Sequence, residues 1–258
     1  MIPEKTVNLQ QHPIQDEEYV QSCKAQLDST GALVMEFFLS ADTIESLQDE
    51  AREVRPLAYF CHQNHNAYLL DSDASFPEEH IRNLEQQSDK GCVPHDQIPD
   101  NSPLRTLYEW HEFRVFLESV LDVPVFPYAD TLSSININYY ERGQQLGWHY
   151  DNASFAITLM VQAPEEGGEF EYLEKVRNRE AGEQGYADTE AVIKGSLQPK
   201  TLAMGDGALV LFRGRNSLHR VAPVVSDHAR ILVTLNFNTE PGVMLSELVR
   251  TTFFGRIV

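Results

Sequence analysis

Apolar residues recur at helical spacing over residues 102–121. Leu104, Leu107, Tyr108, Phe113, Phe116, Leu117, Val120 and Leu121 fall mostly at i, i+3, i+4 and i+7, the stripe of a half-buried helix. Ser102 is placed to cap it, and Pro103 sits in the first turn, where proline is tolerated. A second helix is predicted over 16–29, with acids in its first turn, and Gly31 breaks it. A strand follows at 32–37. Ser40, or Thr43, can then cap a helix over 41–54, which Pro56 ends. Residues 60–101 show no period. They hold four histidines and Pro77, Pro94 and Pro99, which reads as a lid or a disordered stretch with a short helix near 77–87.

From residue 129 the pattern changes to short strands between Gly and Pro turns. The candidates are 131–140, 154–162, 168–173, 199–203, 207–212, 218–224 and 229–238. Seven or more short strands within about 110 residues predict a β-sandwich or barrel. The charged run 174–196 reads as a surface insertion. The expectation is one domain over 1–258: helical support and a lid over 1–128, and a β core over 129–258.

Composition narrows the function classes. The chain has 258 residues, with 20 Lys+Arg against 39 Asp+Glu and a net charge of −19. It lacks the basic footprint that a nucleic-acid backbone or an anionic membrane surface requires. Residues 1–53 hold eleven acids and three bases, and 165–190 hold nine acids and three bases, so the charge reads as an outer, solubilising shell. Cys23, Cys61 and Cys92 form no C-x-x-C pair, which gives neither a zinc knuckle nor a disulfide framework. With no apolar run of membrane length and no basic-then-apolar leader, the expectation is a soluble cytoplasmic protein.

The candidate chemistry lies in the β half. His149 and Asp151 stand at i and i+2 of an extended segment, so their side chains point the same way. Together they can hold a divalent metal, but two protein ligands are too few. His219 is the best third ligand. Two histidines and one carboxylate leave one side of the metal open, the arrangement that suits non-haem Fe(II) and oxygen activation. Arg230 follows His219 after ten intervening residues. A guanidinium inside a barrel needs an anionic partner, and the distal carboxylate of a 2-oxoglutarate co-substrate would supply one.

The segments 146–151 (LGWHYD), 165–171 (EEGGEFE), 211–221 (LFRGRNSLHRV) and 253–256 (FFGR), with 107–110 (LYEW), carry a resemblance. The chain resembles the Fe(II)/2-oxoglutarate-dependent oxygenase superfamily. Within it, the chain is similar to the BesD-like group of free-amino-acid halogenases and related hydroxylases. The resemblance implies a mainly β fold with a helical N-terminal half: a double-stranded β-helix of the jelly-roll or cupin type, flanked by helices. It implies Fe(II) on His149, Asp151 and His219, 2-oxoglutarate anchored by Arg230, and O2 as oxidant. Halogenases of the group have a small residue where this chain has Asp151. That departure implies a hydroxylase, with a small polar metabolite, a free amino acid or derivative, as substrate. The competing expectations are hydroxylation of a residue in a protein, and a non-catalytic cupin-like binding module, against which the complete triad and Arg230 argue. Oligomeric state is left open.

Substrate contacts are sought on two strands. Ser134, Asn136, Asn138 and Tyr140 share one face, which lines a cavity or meets solvent. Thr234 and Asn236 share the direction of Arg230 and either touch substrate or make structural hydrogen bonds. Asn152 either touches substrate or forms a turn. Trp148 reads as packing. Arg213, Arg215 and Arg82 read as surface groups, although one of the first two could face the cavity and Arg82 could bind a substrate carboxylate. The His-rich run 60–68 lacks the partner set of a second metal site and reads as a substrate-recognition loop.

Overall fold

The computed structural model describes residues 3–258. The chain runs through helices α1 (Pro3–Thr6) and α2 (Glu17–Thr30), strand β1 (Ala32–Met35), helix α3 (Ala41–Val54), strands β2 (Tyr59–Asn66) and β3 (Glu85–Val93), and helices α4 (Pro103–Glu109) and α5 (His111–Leu121). There follow β4 (Phe126–Pro127), β5 (Ile135–Tyr140), β6 (Leu146–His149), β7 (Ala156–Gln162), β8 (Phe170–Leu173) and helix α6 (Tyr186–Ile193). The chain ends with β9 (Lys200–Leu202), β10 (Leu209–Phe212), β11 (Leu218–Val221), β12 (Arg230–Leu235), β13 (Phe237–Asn238) and helix α7 (Glu247–Phe254).

A large antiparallel sheet has the order β1-β10-β7-β12-β5-β3-β2, and a smaller one has the order β6-β11-β8-β9. Alternation along the central strands explains both faces of the large sheet. Ile135, Ile137 and Tyr139 of β5, with Ile231, Val233 and Leu235 of β12, pack into one apolar core with the inner faces of α2 to α5. The opposite face carries Asn136, Asn138, Arg230 and Thr234, all shielded, and β5 is buried at every position. The polar face therefore turns inward, and the solvent alternative for it is excluded. This is the jelly-roll arrangement expected from the sequence, with a helical layer supplied by the N-terminal half. Among the described residues no helix is long and apolar enough to cross a membrane.

Most local signals work as read, but the Ser40 hydroxyl does not cap α3 and instead donates to the Lys5 carbonyl at 2.8 Å. Asp16 accepts a hydrogen bond from the Tyr19 amide at 2.8 Å and caps α2. Gly31, at φ 73°, closes the same helix with its N–H on the Leu27 carbonyl. The predicted 102–121 helix is two helices broken at Trp110, whose backbone is extended. The five-residue step from Tyr108 to Phe113 is out of phase with the helical period, and the break brings both stripes back onto the core.

Three expectations are corrected. The 60–101 segment is not a disordered stretch but contains a long-looped β-hairpin, with β2 and β3 in register from Tyr59↔Cys92 to Asn66↔Glu85, and β3 joined to β5. An edge hairpin with polar groups on both faces shows no apolar period. No helix forms at 77–87. Instead the Asn83 side-chain amide donates to the carbonyls of Asp73, Phe76 and Pro77, and its oxygen accepts from the Asp73 amide, which holds a compact loop. The 174–196 excursion is anchored rather than superficial. Thr189 Oγ1 on α6 meets the Tyr150 hydroxyl at 2.7 Å and the Tyr68 hydroxyl at 3.2 Å, and Val192 joins a core with Trp148 and Leu218.

Candidate metal centre and substrate cavity

His149 ends β6 and His219 lies on β11, and the two are cross-strand partners with ring centroids 4.1 Å apart. Asp151 follows β6 directly. Its Oδ1 lies 3.7 Å from His149 Nε2 and 3.5 Å from His219 Nε2. One ligand atom from each of the three residues falls within 4.8 Å of the others, and among the described residues no second such group of three exists.

Each ring is oriented by its own strand. His149 Nδ1 donates to the Gly147 carbonyl at 2.8 Å, and His219 Nδ1 donates to the Ser217 carbonyl at 2.9 Å. A carbonyl only accepts, so both Nδ1 atoms carry a proton, and both Nε2 atoms, the positions left for a metal, are turned toward Asp151. Burial pushes the His149 imidazole down to about 4, reinforced by His219 beside it and opposed by Asp151. Burial alone would raise Asp151, but His219 and His149 outweigh it and hold the carboxyl below the usual range. Asp151 Oδ2 is buried without a hydrogen-bond partner. Two imidazoles in the ligating tautomer and an orphaned carboxylate oxygen fit a divalent metal with one open side.

Gly214 makes this packing possible. A Cβ there would stand 1.8 Å from Asp151 Oδ2 and 3.0 Å from His219 Cε1. The Gly214 carbonyl also accepts the Asp151 amide at 3.1 Å. Phe170 and Phe212 lie against the His219 ring, with centroids 5.6 and 4.9 Å away, and keep water from that side.

Arg230, on β12, is 1% exposed. Its Nε and Nη1 have no partner, Nη2 reaches only Met204 Sδ at 3.9 Å, and the Tyr140 ring lies 5.5 Å from the guanidinium carbon. Burial lowers its pKa, with Tyr140 acting in the opposite sense. No carboxylate among the described residues pairs with it. A buried guanidinium is costly without an anion, and no protein group supplies one here.

A cavity of about 370 Å³ opens onto His149 and Asp151. Asn136, Asn138, Asn152, Thr234 and Asn236 all line it. The asparagines on the two central strands are already committed. The Asn236 amide donates to Ser133 O, Asn136 Oδ1 and Thr234 Oγ1, while that of Asn136 donates to Leu132 O and Ile135 O. Both alternatives for Asn236 thus meet in one side chain, which lines the cavity while holding the wall together. Asn152 Oδ1 accepts from Arg179 at 3.3 Å. A larger depression of about 690 Å³ around His95, Asp96 and Arg105 shares Tyr128 with the cavity but holds none of the triad.

The remaining candidates fall outside. Arg213 pairs with Asp28, Arg215 with Glu180, and Arg82 donates to the Asp71 carbonyl. Trp148 is buried packing with the Arg220 guanidinium 4.8 Å from its ring. The wall also includes Cys61 and His65, from the run 60–68 read as a substrate-recognition loop, and Lys90, Cys92, Val249 and Phe253, which sequence reasoning missed. His65 Nδ1 donates to the Asn66 carbonyl, so Nε2 accepts from Ser88 Oγ at 2.6 Å. Strand pairing brings the hairpin groups to the site and the packing of α7 brings Val249 and Phe253, neither of which residue pattern alone reveals.

A scan against family models matches residues 14–247 to the family described as Halogenase D. The chain belongs to the Halogenase D family. A search of the curated proteins finds no match. Among solved structures, this Halogenase D chain is similar to a 2OG-Fe(II) oxygenase family oxidoreductase from Burkholderia pseudomallei (TM-score 0.55, 13% identity, 88% of this chain and 94% of the other). It is also similar to the non-haem α-ketoglutarate-dependent carbocyclase SnoK from nogalamycin biosynthesis (0.59, 15%, 92% and 93%) and to a Pseudomonas putida prolyl-4-hydroxylase (0.54, 14%, 86% and 99%). The resemblance drawn from the motifs is borne out: the Halogenase D model covers most of the chain, and the fold is that of 2OG-Fe(II) oxygenases.

Proposed function

We propose that this oxygenase is an Fe(II)- and 2-oxoglutarate-dependent hydroxylase of a small polar metabolite, a free amino acid or derivative. One domain spans the chain, with 1–128 supporting and covering a catalytic core formed by 129–258. The carrying observation is the Asp151 carboxylate, set between His149 Nε2 and His219 Nε2 with Oδ2 unpartnered.

In this reading His149, Asp151 and His219 hold the iron, and Arg230 receives the distal carboxylate of 2-oxoglutarate bidentately. Bound there, Fe(II) supplies the activation of O2 that couples oxidation of 2-oxoglutarate to succinate and CO₂ with insertion of oxygen into a substrate C–H bond. The Gly147 and Ser217 carbonyls fix the imidazoles in the ligating tautomer. Phe170 and Phe212 exclude water, and the asparagine network keeps the cavity wall rigid. Asp151 occupies the position that is small in halogenases of the resembled group, and Gly214 gives it room. This favours hydroxylation over halogenation. The cover of hairpin and α7 over the cavity favours a small molecule over a protein residue.

The test is a mass-spectrometric screen of free amino acids with Fe(II), 2-oxoglutarate and O2 for products heavier by one oxygen atom, with succinate measured alongside. Wild type should yield both. His219→Ala should yield neither, and Asp151→Gly should lose the hydroxylated product. Unchanged hydroxylation by Asp151→Gly would overturn the ligand assignment.

A further inference from the structure

We propose that Lys90 receives a carboxylate of the primary substrate, so that the site takes small molecules with a free acid group and not residues within a peptide chain. This rests on the iron and 2-oxoglutarate reading above. Lys90 lies on β3 and lines the cavity that holds His149 and Asp151. It retains some accessible surface, which opens on that cavity, while its ammonium is enclosed by protein. Nζ donates to Asn138 Oδ1 at 2.8 Å and stands 4.9 Å from the Phe253 ring centroid. Asn138 is preset for this contact, because its own amide donates to Asn136 O and Leu232 O and so turns its oxygen toward Lys90.

An ammonium has three N–H donors, and one neutral amide oxygen satisfies one of them. No carboxylate among the described residues pairs with Lys90, and Asp151 is the only carboxylate lining the cavity. Burial acts to lower the Lys90 pKa, and Tyr140, Cys92 and Cys61 act to raise it, with the rise prevailing. Those three groups support an ammonium only when ionised, however. The Cys92 thiol is pushed up to about 12, so at neutral pH that thiol gives no counter-charge.

The charges of the loaded site complete the argument. Asp151 and dianionic 2-oxoglutarate together exceed Fe(II) by one negative charge, which Arg230 offsets. Lys90 is the cation left over. The local complement to Lys90 is a carboxylate, which accepts the ammonium's spare donors in a charge-assisted pair, whatever other charges the substrate carries. The apolar side chains of Val249 and Phe253 face the same space and suit the carbon skeleton behind that carboxylate.

The experiment loads wild type and Lys90→Met with Mn(II) and N-oxalylglycine, an unreactive analogue of 2-oxoglutarate, and follows melting temperature. The titrants are each proteinogenic free L-amino acid and its carboxamide. Wild type should be stabilised by at least one free acid, with the carboxamide weaker by about tenfold or more. Lys90→Met should lose that preference and bind the acid about tenfold or more weakly. Without ligands it should melt at or above wild type, because an uncompensated cation has gone. Lys90→Gln carries the same test if Lys90→Met does not fold. The proposal is overturned if no acid outbinds its amide on wild type, if acid binding survives the substitution, or if the substitution abolishes N-oxalylglycine binding instead. Stabilisation of wild type by Mn(II) and N-oxalylglycine alone is the separate check on the underlying reading. If it is absent, the iron and co-substrate assignment has failed, and if it is present without acid preference, only the role of Lys90 has.

Discussion

A single methyl group at position 214 would displace Asp151, a ligand in the proposed metal site. The Cβ of Gly214→Ala would stand 1.8 Å from Asp151 Oδ2, and the facing atom belongs to the carboxylate that the metal needs. We expect Gly214→Ala to keep its fold by circular dichroism while Mn(II) affinity falls about 10–100-fold, the range for groups that orient metal ligands. Arg230→Met tests a different contact. It removes the buried cation that faces no protein carboxylate, so the 2-oxoglutarate concentration giving half-maximal turnover should rise by about 30-fold or more. Metal affinity measured in the absence of co-substrate should stay unchanged. The triad and Arg230 were legible because each is a chemically specific residue type at strand spacing. Lys90 was not, because a lysine in an aperiodic segment gives no sign of where it points.

At the scale of elements, alternation was the readable signal. The strands β5 and β12 follow a period of two between an apolar helical layer and a polar interior, and both were read from sequence within a few residues. The hairpin of β2 and β3 and the short helix α7 were not read, since edge strands and brief amphipathic turns carry too few apolar positions to show a period. Their placement depends on specific clamps. Asp130 Oδ1 accepts from the Leu132 and Ser133 amides and the Ser133 hydroxyl, and Oδ2 accepts from the Leu245 amide at 3.0 Å. This ties the approach to β5 to the segment before α7. Burial alone would raise the Asp130 carboxyl, but Ser133, Leu245 and Leu132 hold it below its ordinary value. Asp130→Ala should cost about 1–3 kcal/mol in denaturant unfolding, with the largest gain in hydrogen exchange at 245–254.

For the whole molecule, the net charge of −19 opposes compaction through self-repulsion. Raising NaCl from low to near-physiological concentration should therefore increase the melting temperature of the metal-free protein. Acid acts through the histidines. Burial is the main cause lowering His12, His65, His95 and His149, the last to about 4, from an ordinary value of 6.5. The unfolded chain then binds more protons than the folded one across that interval, so stability present above about pH 6.5 is lost as pH falls toward about 4. Urea midpoints of the metal-free protein should fall through this window, and His149→Gln should flatten part of the slope.

The two sheets together also divide labour along the chain. His149, His219 and Arg230 stand on β6, β11 and β12, with Asp151 directly after β6, whereas Lys90, His65, Cys61 and Cys92 arrive on one contiguous stretch at the sheet's edge, 59–93. In the proposed reading, the iron and co-substrate residues and this one wall of the cavity thus stand on separate pieces of sequence. In that reading, substitutions confined to 59–93 should change what the cavity admits while the strands that carry His149, His219 and Arg230 stay untouched.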